Sequence, residues 1–240
     1  MESKHRDASL IPLEGEQVMV IACDSCGAFG SKSGDQVKVP PQIVGKYTAR
    51  VAMMEVLALG AKPIAMTVNI CNEPSPTGEG IMEGIKEELE AWQLVLPITI
   101  STEKNMPTTM TAIGVTLMGI AEKSELLLGK VSSGDLVYSV GLPKVGDAVV
   151  TDQGEIADAT VMKQLLHMGG IKEIVPVGSS GIKGELNKLA ESYQLKFEVL
   201  NNERLDLEKS AGPCTVILVI TDKVLPNVFE VPCNFIGKME

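Results

Sequence analysis

Arg50-Val51-Ala52-Met53-Met54-Glu55-Val56-Leu57-Ala58-Leu59-Gly60-Ala61-Lys62-Pro63 closes a helix and opens a strand, and the architecture can be read outward from it. Upstream, Pro41 suits a first helical turn, and Gly60 suits a C-terminal stop. The spacing therefore predicts a helix over 41–59. Ile43, Val44, Tyr47, Val51, Met54 and Ala58 fall on one face at about 100° per residue. Glu55 lies about 20° outside that stripe, at the edge of the buried face. A carboxylate there needs a partner, and Arg50 and Lys62 are the nearest cations in sequence. Residues 63–71 then read as a strand.

Toward the N-terminus, 17–23 reads as a buried strand ending at Asp24, followed by a Gly-, Ser-, Lys- and Asp-rich loop over 27–41. Toward the C-terminus, 77–92 reads as a helix with Ile81, Ile85, Leu89 and Trp92 inward and Glu79, Glu83, Glu87 and Glu90 outward. Strands follow over 96–101 and 108–121. The turn-rich stretch 129–134 marks a joint between residues 1–130 and 131–240. The second part reads as strand 135–141, helix 155–168, strand 171–177, a helix opened by Gly178-Ser179-Ser180-Gly181, and strands over 214–221 and 229–237. Helices and strands alternate without a strict βαβ beat, so the expected class is a two-part α+β protein.

The chain has 240 residues and a net charge of −10. That acidity argues against nucleic acid as a partner, since phosphate backbones select clustered Lys and Arg, and it disfavours an anionic membrane surface. No apolar run approaches the roughly 18 residues of a membrane span, and the polar N-terminal stretch has no signal-peptide core, so a cytoplasmic protein is expected. The five cysteines, at 23, 26, 71, 214 and 233, mostly sit in apolar runs and read as reduced thiols. Cys23 and Cys26 have Cys-x-x-Cys spacing, which leaves dithiol or zinc chemistry open. No second Cys/His pair at ligand spacing accompanies them.

Four acidic residues follow apolar or helical runs: Asp7, Asp24, Glu55 and Glu103. Hard cations such as Mg2+ take oxygen ligands, and carboxylates at the ends of elements supply them without a P-loop. Taken singly, each reads more simply as solvated or ion-paired. No Walker A sequence, Gly-x-Gly-x-x-Gly, Gly-x-Ser-x-Gly or metal-binding histidine pair is present, which disfavours the common nucleotide folds and serine hydrolases. Gly178-Ser179-Ser180-Gly181 could bind an anion at a helix N-terminus, or Ser180 could simply cap the helix; capping is the favoured reading.

Residues 50–63 resemble the helix of the aminoimidazole ribonucleotide synthetase-like ATP-binding superfamily that ends in a carboxylate, several small or apolar residues and Gly-Ala-x-Pro. Glu55 stands where that family has Asp. Asp24 is similarly placed to the family's strand-end aspartate. Arg6-Asp7-Ala8-Ser9-Leu10 resembles its Asp-Asp-Ala-Ala motif with Arg6 replacing the first acid. Ser101-Thr102-Glu103 resembles its Gly-Gly-Glu/Asp segment with both glycines replaced. Gly134-Asp135 through Gly141 is similar to the strand opening the family's second domain, and beyond it the likeness weakens.

The resemblance implies a PurM-like, two-domain α+β fold, with strands of the first domain forming a barrel across a homodimer and a shortened second domain. It implies ATP and Mg2+ as cofactors, with Asp7, Asp24, Glu55 and Glu103 as metal and nucleotide ligands. Lys32 and Lys104 would neutralise charge beside Asp24. Val39-Pro40-Pro41, the Glu73–Gly78 run and Ser101-Thr102-Glu103 are most similar to α-ribazole kinases, which phosphorylate a cobalamin lower-ligand nucleoside. A thiamine-monophosphate-type kinase and a nucleotide-binding protein without turnover stay open.

Overall fold

The computed structural model describes residues 3–200 and 205–240. The chain forms two compact units, Met1–Leu57 with Ala61–Ser124, and Ala58–Gly60 with Glu125–Glu240. The architecture is mixed α+β, as the alternation of elements predicts.

The first unit contains β1 (Ser3–His5), β2 (Ala8–Pro12), β3 (Gln17–Gly27), the short β4 (Phe29–Gly30) and β5 (Val37–Lys38), and helix α1 (Pro41–Ala58). After these come β6 (Lys62–Ile70), a π-helical turn (Pro74–Gly78), α2 (Glu79–Trp92), β7 (Ile98–Thr102) and β8 (Ala112–Glu122). Its main sheet has the order β1-β2-β3-β8-β6-β7. Only the β6–β7 pair is parallel in that sheet. Strand β3 runs on to Gly27 instead of stopping at Asp24. An uninterrupted ladder with β8, from Gln17 opposite Glu122 to Gly27 opposite Ala112, carries it past the charged residue. The β1–β2 hairpin has no counterpart in the sequence-based expectation: three polar residues and five mixed ones give too short a pattern to read.

Helix α1 departs from the predicted single stripe. Ala49, Ala52, Met53, Met54, Val56 and Ala58 are all fully buried, while Ile43, Tyr47 and Val51 are only half-buried. The cause is close contact on more than one side. A Cβ on Gly45 would lie 2.0 Å from the Ile81 carbonyl oxygen, and one on Gly84 would lie 1.8 Å from that of Gln42, so α1 and α2 cross backbone to backbone. On the sheet side, a Cβ on Gly119 would meet Val56 at 2.6 Å. Helix α2 buries Ile81, Ile85, Leu89 and Trp92 as its period predicts, and with them Glu88. Arg50 meets Glu88 through two bonds of 2.7 and 3.0 Å, and Trp92 Nε1 donates to the same carboxylate at 2.9 Å. Arg50 thus pairs with Glu88, although Glu55 is its nearer acid in sequence.

The second unit contains β9 (Leu136–Val140), α3 (Asp147–Val150), α4 (Ala159–Leu166), β10 (Ile171–Pro176), α5 (Gly181–Tyr193), β11 (Phe197–Val199), β12 (Ile217–Thr221) and β13 (Cys233–Met239). They form an antiparallel sheet of order β10-β12-β9-β13-β11. Ile182, Leu186 and Leu189 of α5 pack on Val137, Leu218 and Ile236. Helix α4 starts four residues later than expected because Asp158 caps it, accepting from the Thr160 and Val161 amides. Ser180 makes no side-chain cap at α5. Its hydroxyl turns instead to Glu185, at 2.5 Å, so the capping reading of Gly178–Gly181 does not hold.

Candidate functional site

One end of the first unit's sheet carries a tightly stapled polar rim. The register places the ends of four strands there: Cys26 of β3 opposite Ile113 of β8, Ile113 opposite Ile70 of β6, and Ile70 opposite Thr102 of β7. The loop after β3 is tied down by Asp35, which is 5 % exposed. Its carboxylate accepts from the Thr111 amide (2.7 Å), the Thr111 hydroxyl (2.8 Å) and the Lys32 amide (2.8 Å). Those donors hold the Asp35 carboxyl below its ordinary value against the opposing effect of burial. Asn72 staples the opposite side, donating to Thr108 Oγ1 and the Met110 carbonyl, both at 2.7 Å, and accepting from the Ala112 amide.

Lys32 and Glu73 join the two sides. Their charged groups meet at 2.7 Å, and Thr77 donates to the same glutamate at 2.5 Å. Burial pushes the Glu73 carboxyl up, but Lys32 and Thr77 outweigh it and bring it down to about 2. Lys38 adds a second ammonium, bonded to the Lys32 and Ser33 carbonyls.

Asp24 has the opposite electrostatics. It lies on the same face of β3 as buried Val18, Val20 and Ala22. Burial raises its carboxyl to about 6, only partly offset by the Ser25 amide, and among the described residues no basic side chain brings it back. Its ionised form is therefore disfavoured where it stands. Neighbouring Cys26 is driven up to about 11 by burial first and Asp24 second, with Thr48 in hydrogen-bond contact.

The other acidic positions fall as follows. Asp7 sits exposed in the β1–β2 turn, one residue before Ala8, which pairs with Ala22. Asp7 therefore lies in a turn at the level of Cys23, not on a strand beside Asp24. Glu103 follows β7 at the same end of the sheet but three strand spacings from β3, about 14 Å across the sheet. Its carboxylate accepts from the Asn105 and Met106 amides, which lower its pKa and shape its own loop. Lys104 lies exposed beside it. Glu55 is 6 % exposed and already engaged with neighbouring groups. It lies seven residues beyond Thr48, about 10 Å along α1. Among the described residues no three His, Cys, Asp or Glu side chains converge on one ion position. The four acids thus do not form a single cluster.

The Cys-x-x-Cys reading fails on geometry. Cys23 and Cys26 lie in one strand, about 10 Å apart in Cα, beyond the ~7 Å limit for a disulfide, and both are free.

The rim residues that sequence reasoning missed are Asn72, Glu73, Thr77 and Thr111. Two prolines, Pro74 and Pro76, directly after an apolar strand were the available signal for a structured turn at 72–78. Beside this turn, a cavity of about 330 Å³ opens between α2 and β6–β7, lined by Ile70, Met82, Ile100 and Thr102 among others.

Residues 5–121 match the family model of the AIR synthase related protein, N-terminal domain. This segment is similar to AIR synthase-related domains. No curated protein matches the chain. Among solved structures, thiamine monophosphate kinase from Aquifex aeolicus superposes with a TM-score of 0.69 at 17% identity, covering 99% of this chain and 90% of that one. The Stenotrophomonas maltophilia thiamine-monophosphate kinase gives 0.65 at 15% identity, covering 97% and 86%. Phosphoribosylformylglycinamidine synthase II from Thermotoga maritima gives 0.63 at 15% identity, covering 98% of this chain. The chain spans only 37% of that synthase's length. These likenesses establish the PurM-like α+β fold. Among the described residues no helix is long and apolar enough to cross a membrane. Within the segment matched by that family model, the polar rim occupies the ends of β3, β6 and β7 and the start of β8.

Proposed function

We propose that the protein is an ATP- and Mg2+-dependent small-molecule kinase. The observation that carries the reading is Asp24, a partly buried carboxylate within β3, two residues before Cys26, whose ionised form burial disfavours and for which no described basic side chain compensates. Supporting it, the Aquifex aeolicus thiamine monophosphate kinase has been solved in complex with AMPPCP and TMP and superposes with a TM-score of 0.67.

Asp24 on β3, with Asp7 from the turn before β2, would hold one Mg2+, with Glu103 holding a second and Glu55 contributing through water. Bound Mg2+ would neutralise charge on the triphosphate. Lys32, released from Glu73, would take a phosphate oxygen, and Lys104 would neutralise charge near Glu103. The stapled loops at Asp35 and Asn72 would hold these groups in position, which is the larger part of what phosphoryl transfer asks of a protein.

The acceptor is a primary hydroxyl on a ribose, specifically the 5′-hydroxyl of α-ribazole, on the likeness of the Glu73–Gly78 and Ser101–Glu103 runs to that kinase type. Thiamine monophosphate is the second reading, favoured by the near full-length superposition on thiamine-monophosphate kinases. A homodimer would form through the less covered sheet face, where Met19, Ile21, Met118 and Ile120 are half-buried.

The test is Mg2+-dependent ATP turnover against α-ribazole and thiamine monophosphate. Transfer to α-ribazole establishes the specific reading, and transfer to thiamine monophosphate replaces it. Tight Mg·ATP binding with neither product formed would leave a nucleotide-binding protein without turnover.

A further inference from the structure

The cavity between α2 and the edge strand β7 differs in chemistry from the lysine-bearing rim. Met82 and Ile100 give it apolar lining, and Thr102 also borders it. Glu79, Glu83 and Lys86 line it as well, all three exposed to solvent. Both glutamates keep an oxygen beyond the one they already use: Glu79 Oε2 accepts from Ser75, and Glu83 Oε2 accepts from Gln42. At about 330 Å³ it lies near the lower end of ligand pockets, roughly 300–1,000 Å³, a size for one ring system and not for a whole nucleotide.

Its position matters as much as its lining. Thr102 directly precedes Glu103, whose amide is fixed to the Ile70 and Asn72 carbonyls. Pro74 and Gly78, also on the wall, belong to the turn that follows Glu73, the partner of Lys32. A ligand seated with its ring between Met82 and Ile100 would project its far end past Thr102 toward the rim. Two glutamates against one lysine disfavour a polyphosphate here and favour a ring that carries, or can acquire, a proton on nitrogen.

We propose that this cavity binds the base of the phosphoryl acceptor, a flat and weakly basic N-heterocycle. Its faces pack on Met82 and Ile100, its ring nitrogen meets Glu79 or Glu83, and its sugar runs past Thr102 to the rim. The assignment rests on the kinase reading above, but the cavity can be tested apart from it.

The experiment compares the full-length protein with its Ile100→Arg variant. Ile100 is 49% exposed on an edge strand, so the substitution fills the cavity without entering the core. Calorimetry measures binding of benzimidazole, of α-ribazole and, separately, of Mg·ATP. The expected result is that both heterocycles bind the wild-type protein, that Ile100→Arg weakens each at least tenfold, and that Mg·ATP affinity is unchanged. Undiminished heterocycle binding by the variant, or none by the wild type, overturns the cavity assignment and leaves the kinase reading standing. A parallel tenfold loss of Mg·ATP affinity also overturns it, because the cavity is then the nucleotide's own base pocket. Failure of the wild type to bind Mg·ATP at all, with heterocycle binding intact, defeats the kinase reading instead.

Discussion

Replacing Asp24 by Asn separates cation binding from folding, because the two respond in opposite directions. The folded-state carboxyl titrates at about 6 against an ordinary 3.8, so the fold prefers the protonated form. The sign follows. Below pH 3.8 both states are protonated and the fold bears no penalty. The penalty grows between 3.8 and 6 and is constant above. Two units at about 1.4 kcal/mol each place it near 3 kcal/mol at neutral pH, an upper bound for a residue that is only partly buried. Asn keeps the shape and can still accept from the Ser25 amide, so at pH 7.5 the ligand-free variant should be more stable than the wild type by about 1–3 kcal/mol. At pH 4 the difference should vanish. Saturating Mg2+ and a non-hydrolysable ATP analogue should reverse the order at pH 7.5, because the wild type alone gains the cation–carboxylate interaction. Urea unfolding followed by Trp92 fluorescence is a suitable assay. Trp92 is the only tryptophan, it is 5 % exposed, and it lies in the first unit, so it reports that unit's unfolding. A ligand-free variant less stable than wild type at pH 7.5 would show that the Asp24 charge is already satisfied within the fold. A variant with undiminished phosphoryl transfer would remove Asp24 from the site.

Other substitutions probe the scaffold and the rim. Arg50→Met leaves Glu88 charged and fully buried without its cation and should cost about 3–5 kcal/mol, whereas Arg50→Met with Glu88→Met should recover most of it; denaturant midpoints decide. Gly84→Ala drives a methyl group to 1.8 Å from the Gln42 carbonyl, a backbone obstacle, so the loss should reach or exceed the roughly 1–3 kcal/mol typical of overpacking, visible as a lower thermal midpoint or insoluble protein. Lys32→Met should raise the Glu73 carboxyl from about 2, with the Thr77 hydrogen bond still holding it down, measurable by NMR titration of its side-chain carbon, and should raise the KM for ATP more than it lowers stability.

The legible parts of the fold were those where local pattern and tertiary environment agree. The inward row Ile81, Ile85, Leu89 and Trp92 reads directly from a 3.6-residue period, and it is what the structure buries. Pro41 and Gly60 bracket α1 for reasons internal to the backbone. Helix α1 misleads because its environment is not one-sided: small residues let α2 approach as closely as the sheet does, and a stripe calculation treats the half-buried Tyr47 and the fully buried Ala49 in the wrong order. Arg50 illustrates a related limit. Its partner lies 38 residues away on another helix, while a nearer glutamate in sequence, Glu55, sits five residues along the same helix. At the site, the strand carrying Asp24 was readable from its apolar run, but not its end, because the ladder with β8 carries β3 on to Gly27. The roles of Asp35, Asn72 and Glu73 were not, since each acts on a loop brought in by the sheet. Thr111, for instance, is 76 residues from Asp35.

The contrast between Asp24 and Glu73 bears on how such a rim would work. Both are partly buried carboxylates, Asp24 within β3 and Glu73 before the π-helical turn, yet one titrates at about 6 and the other at about 2. The difference lies in partners. Glu73 has taken the nearest ammonium, Lys32, and a hydroxyl, so it is electrostatically complete. Among the described residues Asp24 has only the Ser25 amide. A polyanion with its divalent cation would exploit both conditions at once, the cation relieving Asp24 and the phosphate oxygens competing with Glu73 for Lys32. Cation and anion should therefore bind cooperatively: Mg2+ should tighten ATP binding in the wild type by more than it does in Lys32→Met or in Asp24→Asn. A double-mutant cycle on ATP affinity, with and without Mg2+, measures that coupling. Additive losses at the two positions would mean that Asp24 and Lys32 do not serve the same ligand.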